Sequence, residues 1–256
     1  MIATLIKNIR FAGGKYNCIV CGKNIRTYFR FSDSLVKHTA DHGFPYSYQR
    51  METLNFDRCN CPFCLSADRE RLYLLYLEKY IFKTLDQKKQ FSMLDFAPNF
   101  AFANYLKKKG IDYVSADFLR DDMDLKLDIC NMSSIANDRF DFIICSHILE
   151  HVPSPEKALE EMHRILKPGG NAIIMVPLFW DVKETAESPD HVTEEERWKN
   201  YGQDDHVRLF AKQDFLNRIK KAGFNIKEFT VKDFESSEID RNAISSNSIL
   251  YVAHKS

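Results

Sequence analysis

Four of the seven cysteines stand in two pairs with the spacing of a zinc site. The pairs are Cys18-Ile-Val-Cys21 and Cys61-Pro-Phe-Cys64. Four converging thiolates satisfy the tetrahedral coordination of zinc, and such a site stabilises a segment that has little core of its own. We therefore predict a structural Zn²⁺ bound by Cys18, Cys21, Cys61 and Cys64. Cys59 is a spare thiol that could replace Cys61, and free or redox-active thiols are the alternative.

Three carboxylates lie at or near the ends of predicted strands. Asp95 ends the first, Asp117 the second and Asp128 the third. In open α/β sheets, ligands bind at the carboxyl ends of the strands. Asp117 has the position from which a carboxylate takes both hydroxyls of a ribose, and Asp128 that of an acceptor for an adenine amino group. The turn at residues 97–99 precedes a helix N-terminus, which favours a carboxylate or phosphate.

Histidines and arginines supply candidate bases and anion contacts. Since histidine titrates near neutral pH, His206 is the first candidate for a general base, with Asp205 and Arg208 beside it in the run 202–208. His147 and His151 are the alternatives, and His151 is also consistent with a supporting role. Guanidinium groups that can grip an anionic acceptor are carried by Arg69, Arg71, Arg197 and Arg208.

Alternating strand and helix patterns must position these residues. Strand patterns occupy residues 91–96, 113–116, 125–129, 140–146 and 172–176, and helical patterns occupy 66–83, 101–109 and 154–166. After a helix at 213–222, two strands at 225–231 and 248–253 are joined by a polar connection without a helical pattern. This order predicts a doubly wound, mostly parallel sheet with one antiparallel strand.

Three segments follow from these patterns. Residues 1–65 are an irregular, zinc-ribbon-like module, residues 66–90 are a linking helix with Ser66 as its N-cap, and residues 91–256 are the sheet domain. Residues 178–208 fit no sheet element and are interpreted as an insertion that covers the ligand edge.

Composition narrows the class of protein. The 36 basic and 36 acidic residues give a net charge of +0, but residues 1–90 hold an excess of basic residues and residues 91–256 an excess of acidic ones. This asymmetry favours an anionic partner, while the neutral total disfavours nucleic acid. Without a membrane-spanning apolar run or a signal-peptide core at the start, and with unpaired cysteines, we expect a cytoplasmic protein.

The stretch FDFIICSHILEHVPSPEKALEEMHRILKPGG at residues 140–170 resembles the class I S-adenosylmethionine-dependent methyltransferases. The resemblance covers residues 91–256 and implies a Rossmann-like seven-stranded sheet that binds S-adenosylmethionine (SAM). One departure is the first loop, residues 95–100, which has no glycine where the family has several. By the same resemblance, the methionine end is contacted by Asp95, Phe96, Ala97 and Pro98, and the ribose by Asp117 and Phe118. The adenine is contacted by Asp128, Ile129 and Cys130, and the sulfonium by Ser146 and His147.

The cysteine module resembles the zinc ribbon that precedes a subset of these enzymes in bacterial cell-surface polysaccharide gene neighbourhoods. In that subset an arginine-rich helix follows the second cysteine pair, matched here by Arg69 to Arg71. A later series is matched by Thr185, Glu187, Arg197 and the run 202–208. The resemblance implies a role in capsule or other surface polysaccharide modification.

These observations support three functional hypotheses. The first is a methyltransferase that modifies an oxygen, or less readily a nitrogen, on a polar anionic small molecule or glycan precursor, such as a sugar or phosphoramidate group. The second is a nucleic-acid methyltransferase that grips RNA with the zinc module. The third is a binding module that keeps the fold without catalysis. The sequence identifies neither the acceptor nor the oligomeric state.

Overall fold

The computed structural model describes residues 10–85, 90–190 and 193–256. Its N-terminal part contains the hairpin β1 (Ala12–Asn17) and β2 (Asn24–Ile25) and the helix α1 (Asp33–Asp41). The helix α2 (Asp68–Tyr76) follows and continues as a π-helical turn at Leu77–Phe82. Two N-terminal predictions need correction. Residues 10–65 are more regular than expected, and Ala67, not Ser66, is the N-cap of α2.

The remaining elements alternate as the patterns predict. In chain order they are β3 (Ser92–Phe96), α3 (Phe100–Lys107), β4 (Asp112–Asp117), β5 (Leu125–Lys126), β6 (Phe140–Ser146), α4 (Pro155–Ile165), β7 (Leu166–Met175), β8 (Ala186–Glu187), α5 (Glu194–Tyr201), β9 (Arg208–Leu209), α6 (Lys212–Lys221), β10 (Asn225–Thr230), α7 (Ser236–Arg241) and β11 (Ile249–His254). The connection between the last two strands therefore contains the short helix α7, contrary to expectation.

Seven strands form the central sheet in the order β10-β11-β7-β6-β3-β4-β5. The pairs formed by β3 to β7 are parallel, and β11 is antiparallel to both β10 and β7. This sheet confirms the predicted doubly wound, mostly parallel fold. Its core includes Leu94, Ile143, Ile173 and Leu250, all fully buried. Because β3, β4 and β6 run in parallel, the residues that follow them meet at one edge.

Polar contacts fix the opposite edge of the sheet. The Asp141 carboxylate accepts hydrogen bonds from the backbone N–H of Ser92 at 2.8 Å and its hydroxyl at 2.7 Å, and from Lys167 Nζ at 2.7 Å. These bonds tie together the starts of β3, β6 and β7. Ser154 caps α4 by accepting from the N–H of Lys157, with Pro155 at the first helical position.

The insertion and the N-terminal part share a second core. Phe44, Tyr48 and Met51 pack there with Phe179 and Tyr201 in one buried cluster. The insertion also contains the antiparallel pair of β8 and β9 and the helix α5, although no sheet element was expected in it. The two segments therefore form one packed body, in which the insertion is held beside the carboxyl ends of the strands.

No helix within residues 10–85, 90–190 and 193–256 is long and apolar enough to cross a membrane. The predicted segments 1–65, 66–90 and 178–208 extend over residues 1–9, 86–89 and 191–192, which lie outside the described residues.

Candidate active site

The loop after β3 has a left-handed residue where the resemblance leads one to expect glycine. Ala97 has a φ of +49°, and its N–H donates to the carbonyl of Ala116 at 2.8 Å. Asn99 then caps α3, since its side chain accepts from the backbone N–H groups of Ala101 and Phe102. The chain thus makes the sharp turn from strand to helix without a glycine.

Glycine at position 97 tests this conformation. A left-handed alanine costs about 1–2 kcal/mol, which glycine does not incur. Ala97→Gly should therefore leave the free energy of unfolding unchanged or raise it by up to about 1 kcal/mol. The matched change Ala103→Gly, inside α3, should lower it by about 1 kcal/mol. Denaturant unfolding measures both, and equal losses in the two variants would contradict the left-handed turn.

Asp95 lies beneath this loop and is almost fully buried. Its carboxylate accepts a hydrogen bond from Tyr113 Oη at 2.9 Å. Burial raises the pKa of Asp95 to about 8, although the hydrogen bond from Tyr113 opposes the shift. The side chain is therefore protonated over much of the neutral range in this state of the protein.

Asp117 and Phe118 follow β4 at the same edge. The Oδ1 atom of Asp117 accepts from the N–H groups of Leu119 at 2.7 Å and Arg120 at 3.0 Å. Arg120 in turn donates to the carbonyl of Pro98 at 3.1 Å, which ties this loop to the one after β3. The Phe118 side chain is 63% exposed. A carboxylate and a bare aromatic ring thus stand side by side.

The segment after β5 contributes residues of mixed exposure. Asp128 is exposed, and its Oδ1 accepts from the N–H of Cys130 at 2.8 Å. Ile129 is buried. The Cys130 thiol donates to the carbonyl of Ser154 at 3.3 Å, and burial raises its pKa.

At the end of β6, His147 follows Ser146, whose hydroxyl pairs with that of Tyr73. Ser146 Oγ lies 2.9 Å from Tyr73 Oη, and His147 follows with a φ of +57°. Burial and the charge of Arg69 lower the pKa of His147 to about 4, although the contact with Glu150 opposes the shift. At neutral pH the imidazole therefore carries no charge.

The His206 side chain is buried. It is 3% exposed, its Nδ1 is 3.2 Å from the carbonyl of Tyr201, and burial lowers its pKa. Its ring centroid lies 4.7 Å from that of His151, which contacts Asp205 Oδ2 at 3.3 Å. The structure thus gathers His147, His151 and His206 around Glu150, which is 1% exposed.

Arg208 holds the backbone of the turn after β6. Its guanidinium donates to the carbonyls of Leu149 and Val152, both at 2.6 Å, and its Nε donates to Glu187 at 3.0 Å. The side chain is 5% exposed. This placement favours a positioning role over contact with a substrate.

Arg71 is fully buried and cannot reach an acceptor, so the hypothesis that it grips one is wrong. It donates to the carbonyls of Asn242 at 2.7 Å, Ser66 at 2.7 Å and Cys59 at 2.9 Å. Arg69 is the alternative, because its side chain is 30% exposed and its charge acts on His147.

The four predicted zinc ligands converge. Cys18 Sγ lies 3.6 Å from Cys64 Sγ, and Cys21 Sγ lies 3.8 Å from Cys61 Sγ. A Zn–S length of about 2.3 Å in a tetrahedron gives sulfur separations of about 3.8 Å, so the donor set fits zinc. Cys59 points elsewhere, toward Asp68 Oδ1 at 3.8 Å. The geometry therefore selects Cys61 over Cys59.

Sequence reasoning missed two residues of this site. Tyr73 lies within the predicted helix at 66–83 and Glu150 within the quoted motif, but the sequence assigns a role to neither. The spacing His147-x-x-Glu150-His151 was the available signal, because it is typical of metal-binding and proton-transfer clusters.

The sheet order and the site agree with the protein family that the sequence matches. Residues 66–228 match the family described as "Methyltransferase domain". The chain belongs to this methyltransferase family. Membership confirms the predicted enzyme class, a SAM-dependent methyltransferase, and SAM is the cofactor that the fold supports.

Two curated relatives of the methyltransferase carry the same name. The thiol S-methyltransferase TMT1B of Rattus norvegicus is 33% identical over 99 residues, which are 37% of each chain. The mouse protein of that name, from Mus musculus, is 37% identical over 51 residues, 20% of this chain and 19% of the relative. The methyltransferase thus spans well under half the length of the curated relatives it matches.

Solved structures share the fold at low identity. The cyclase SpnF is 14% identical, with a TM-score of 0.50 over 87% of this chain and 92% of its own. A SAM-dependent methyltransferase from Archaeoglobus fulgidus is 16% identical, with a TM-score of 0.45 over 73% of this chain and 94% of its own. At these identities the likeness concerns the fold alone.

Proposed function

We propose that this methyltransferase transfers the methyl group of SAM to an oxygen of a polar, anionic small molecule or glycan precursor. The observation that carries the proposal is the position of His147, which directly follows β6, next to Ser146 and near the partly exposed Arg69. An uncharged imidazole can take the hydroxyl proton of an acceptor, and a guanidinium favours an acceptor that carries phosphate or carboxylate. Capsule or other surface polysaccharide precursors belong to this class.

The strand ends supply a fitting cradle for SAM. The left-handed Ala97 lets the backbone turn closely there, while Asp117 and Asp128 offer carboxylates and Phe118 an exposed ring. We assign Asp95 to Pro98 to the methionine end, Asp117 and Phe118 to the ribose, and Asp128 to Cys130 to the adenine. The bound cofactor supplies an electrophilic methyl group. The protein's own part is to orient the acceptor in line with it and to accept the proton.

His147 is better placed than His206 to meet an acceptor. The Nδ1 of His206 faces the carbonyl of Tyr201 and its ring is 3% exposed, whereas His147 directly follows the strand that ends at the site. In this assignment Asp205 and Arg208 position the insertion. They do not touch the acceptor.

The zinc module has a structural part in this proposal. The four thiols Cys18, Cys21, Cys61 and Cys64 would hold one Zn²⁺, which fixes the segment that packs on the insertion. Zinc with four protein ligands has no open position for a substrate, so its contribution is to folding.

Loss of the Asp117 carboxylate should abolish most SAM binding. Since a hydrogen bond to a charged group contributes about 1.5–3 kcal/mol, losing two to the ribose predicts an affinity at least about 100-fold weaker for Asp117→Ala. Isothermal titration with SAM measures it. The control Asp121→Ala removes an exposed acid from the same loop, whose carboxylate accepts a hydrogen bond from Lys126, and should bind SAM normally. Equal affinities in the two variants would refute the cofactor assignment.

A thiol is the second candidate acceptor, because both curated relatives are named thiol S-methyltransferases. Transfer of a labelled methyl group from SAM to nucleotide sugars, phosphoglycans and small thiols separates the two classes. Label in the thiols alone would replace the oxygen acceptor by a sulfur one.

The variant His147→Gln should bind SAM normally and lose turnover with either class of acceptor.

A further inference from the structure

A second group of potential metal ligands consists of Glu150, His151 and His206. It offers one carboxylate and two imidazoles instead of four thiols. Each residue offers one donor atom, and these atoms all lie within 4.8 Å of one another. Glu150 and His151 belong to the turn after β6, while His206 comes from the insertion. The group exists only because the insertion folds back onto this turn, where the N–H of Val207 donates to the carbonyl of Glu150 at 2.9 Å.

The Glu150 carboxylate is buried without a hydrogen bond. The residue is 1% exposed, and neither carboxylate oxygen has a hydrogen-bond partner among the described residues. The nearest imidazole nitrogen is His147 Nδ1, at 3.4 Å from Glu150 Oε1. Burying an ionised carboxylate costs several kcal/mol, so this carboxylate favours a bound cation.

Both histidines are oriented as metal ligands are. The Nδ1 of His206 faces the carbonyl of Tyr201 at 3.2 Å, and the Nδ1 of His151 faces the backbone and side-chain oxygens of Asp205, both at 3.3 Å. These acceptors hold the proton on Nδ1 and leave the lone pair on Nε2. The Nε2 of His151 lies 4.0 Å from Glu150 Oε1. Ligating histidines are commonly fixed in this way by an acceptor on the other nitrogen.

We propose that Glu150, His151 and His206 bind one divalent transition-metal ion. Two imidazoles and one carboxylate suit zinc, iron(II) or cobalt(II) better than magnesium or calcium, which prefer oxygen ligands. Three protein ligands leave a coordination position open, in contrast to the four thiols. This site does not depend on the proposed acceptor, since metal binding is measured without methyl transfer.

The metal content of the full chain tests the site. After incubation with Zn²⁺ and gel filtration, the wild-type protein should hold two zinc ions by mass spectrometry, and Glu150→Gln or His206→Gln should hold one. The control His254→Gln changes a histidine at the far edge of the sheet, next to Asn171, and should hold two. An unchanged zinc content in Glu150→Gln and His206→Gln would overturn the proposal.

Cobalt(II) gives a readout that needs no variant. Cobalt at the four thiols gives intense thiolate-to-metal charge-transfer bands, whereas cobalt at the nitrogen and oxygen ligands gives only weak d–d bands. Titration of wild-type protein that already holds one zinc at the thiols should therefore produce one equivalent of the weak bands alone. Absence of those bands would contradict the site even if the variants failed to fold. SAM titration of the same sample reports on the proposed function separately.

Discussion

Cys61→Ser is expected to release zinc from the four-thiol cluster and to lower the free energy of unfolding by at least about 4 kcal/mol. Cys61 is fully buried, and its sulfur lies 3.8 Å from that of Cys21. A serine oxygen is a poor substitute for a thiolate, so the remaining three ligands would hold the ion weakly. The melting temperature should fall by about 10 °C, as calorimetry measures.

Cys59→Ser is the matched control, since Cys59 is equally buried and only two residues away. Its thiol faces Asp68 and not the cluster, so this variant should retain zinc and lose little stability. If Cys59→Ser lost zinc and Cys61→Ser kept it, the assignment of the third ligand would be reversed. If the two variants held equal amounts of zinc, the assignment of a zinc ion to the four-thiol cluster would be wrong.

Arg71→Met is expected to lower the free energy of unfolding by about 3–5 kcal/mol. The guanidinium bonds four backbone carbonyls, those of Arg58, Cys59, Ser66 and Asn242. It also lies 3.9 Å from the centroid of the Tyr28 ring. Methionine fills a similar volume but leaves these buried carbonyls without donors. Denaturant unfolding followed by circular dichroism measures the loss.

Arg58→Met separates this network from the general effect of removing an arginine. Arg58 is exposed and its guanidinium carbon lies 5.7 Å from the Tyr16 ring centroid. Its loss should change stability by less than about 0.5 kcal/mol. Similar losses in the two variants would show that the Arg71 hydrogen bonds contribute little.

The sheet domain was predictable because its signals are local. The buried run of β6, the Ser154 cap and the order of strands and helices lie within short windows, and they gave the fold class correctly. The spacing of the two cysteine pairs likewise predicted the four-thiol cluster that the structure contains. The short helices α1 and α7 escaped notice, because few apolar residues mark their periodicity.

Long-range partners were beyond sequence reasoning. Arg71 finds the carbonyl of Asn242, 171 residues away, and no local pattern distinguishes it from the partly exposed Arg69. Similarly, nothing in the run 202–208 shows that His206 turns inward toward Glu150. Such contacts arise only when separate segments pack, and the sequence therefore suggested surface roles for residues that the fold buries.

The shared core of the N-terminal part and the insertion also has a consequence for synthesis. The ribosome makes Phe44, Tyr48 and Met51 first, and Phe179 only after roughly 130 further residues. At about 5–20 residues per second, these apolar side chains stay uncovered for about 6–26 seconds. The nascent chain thus emerges with an unburied apolar surface, a target for chaperones, and the segment around Phe44 completes its core only after Phe179 has been made.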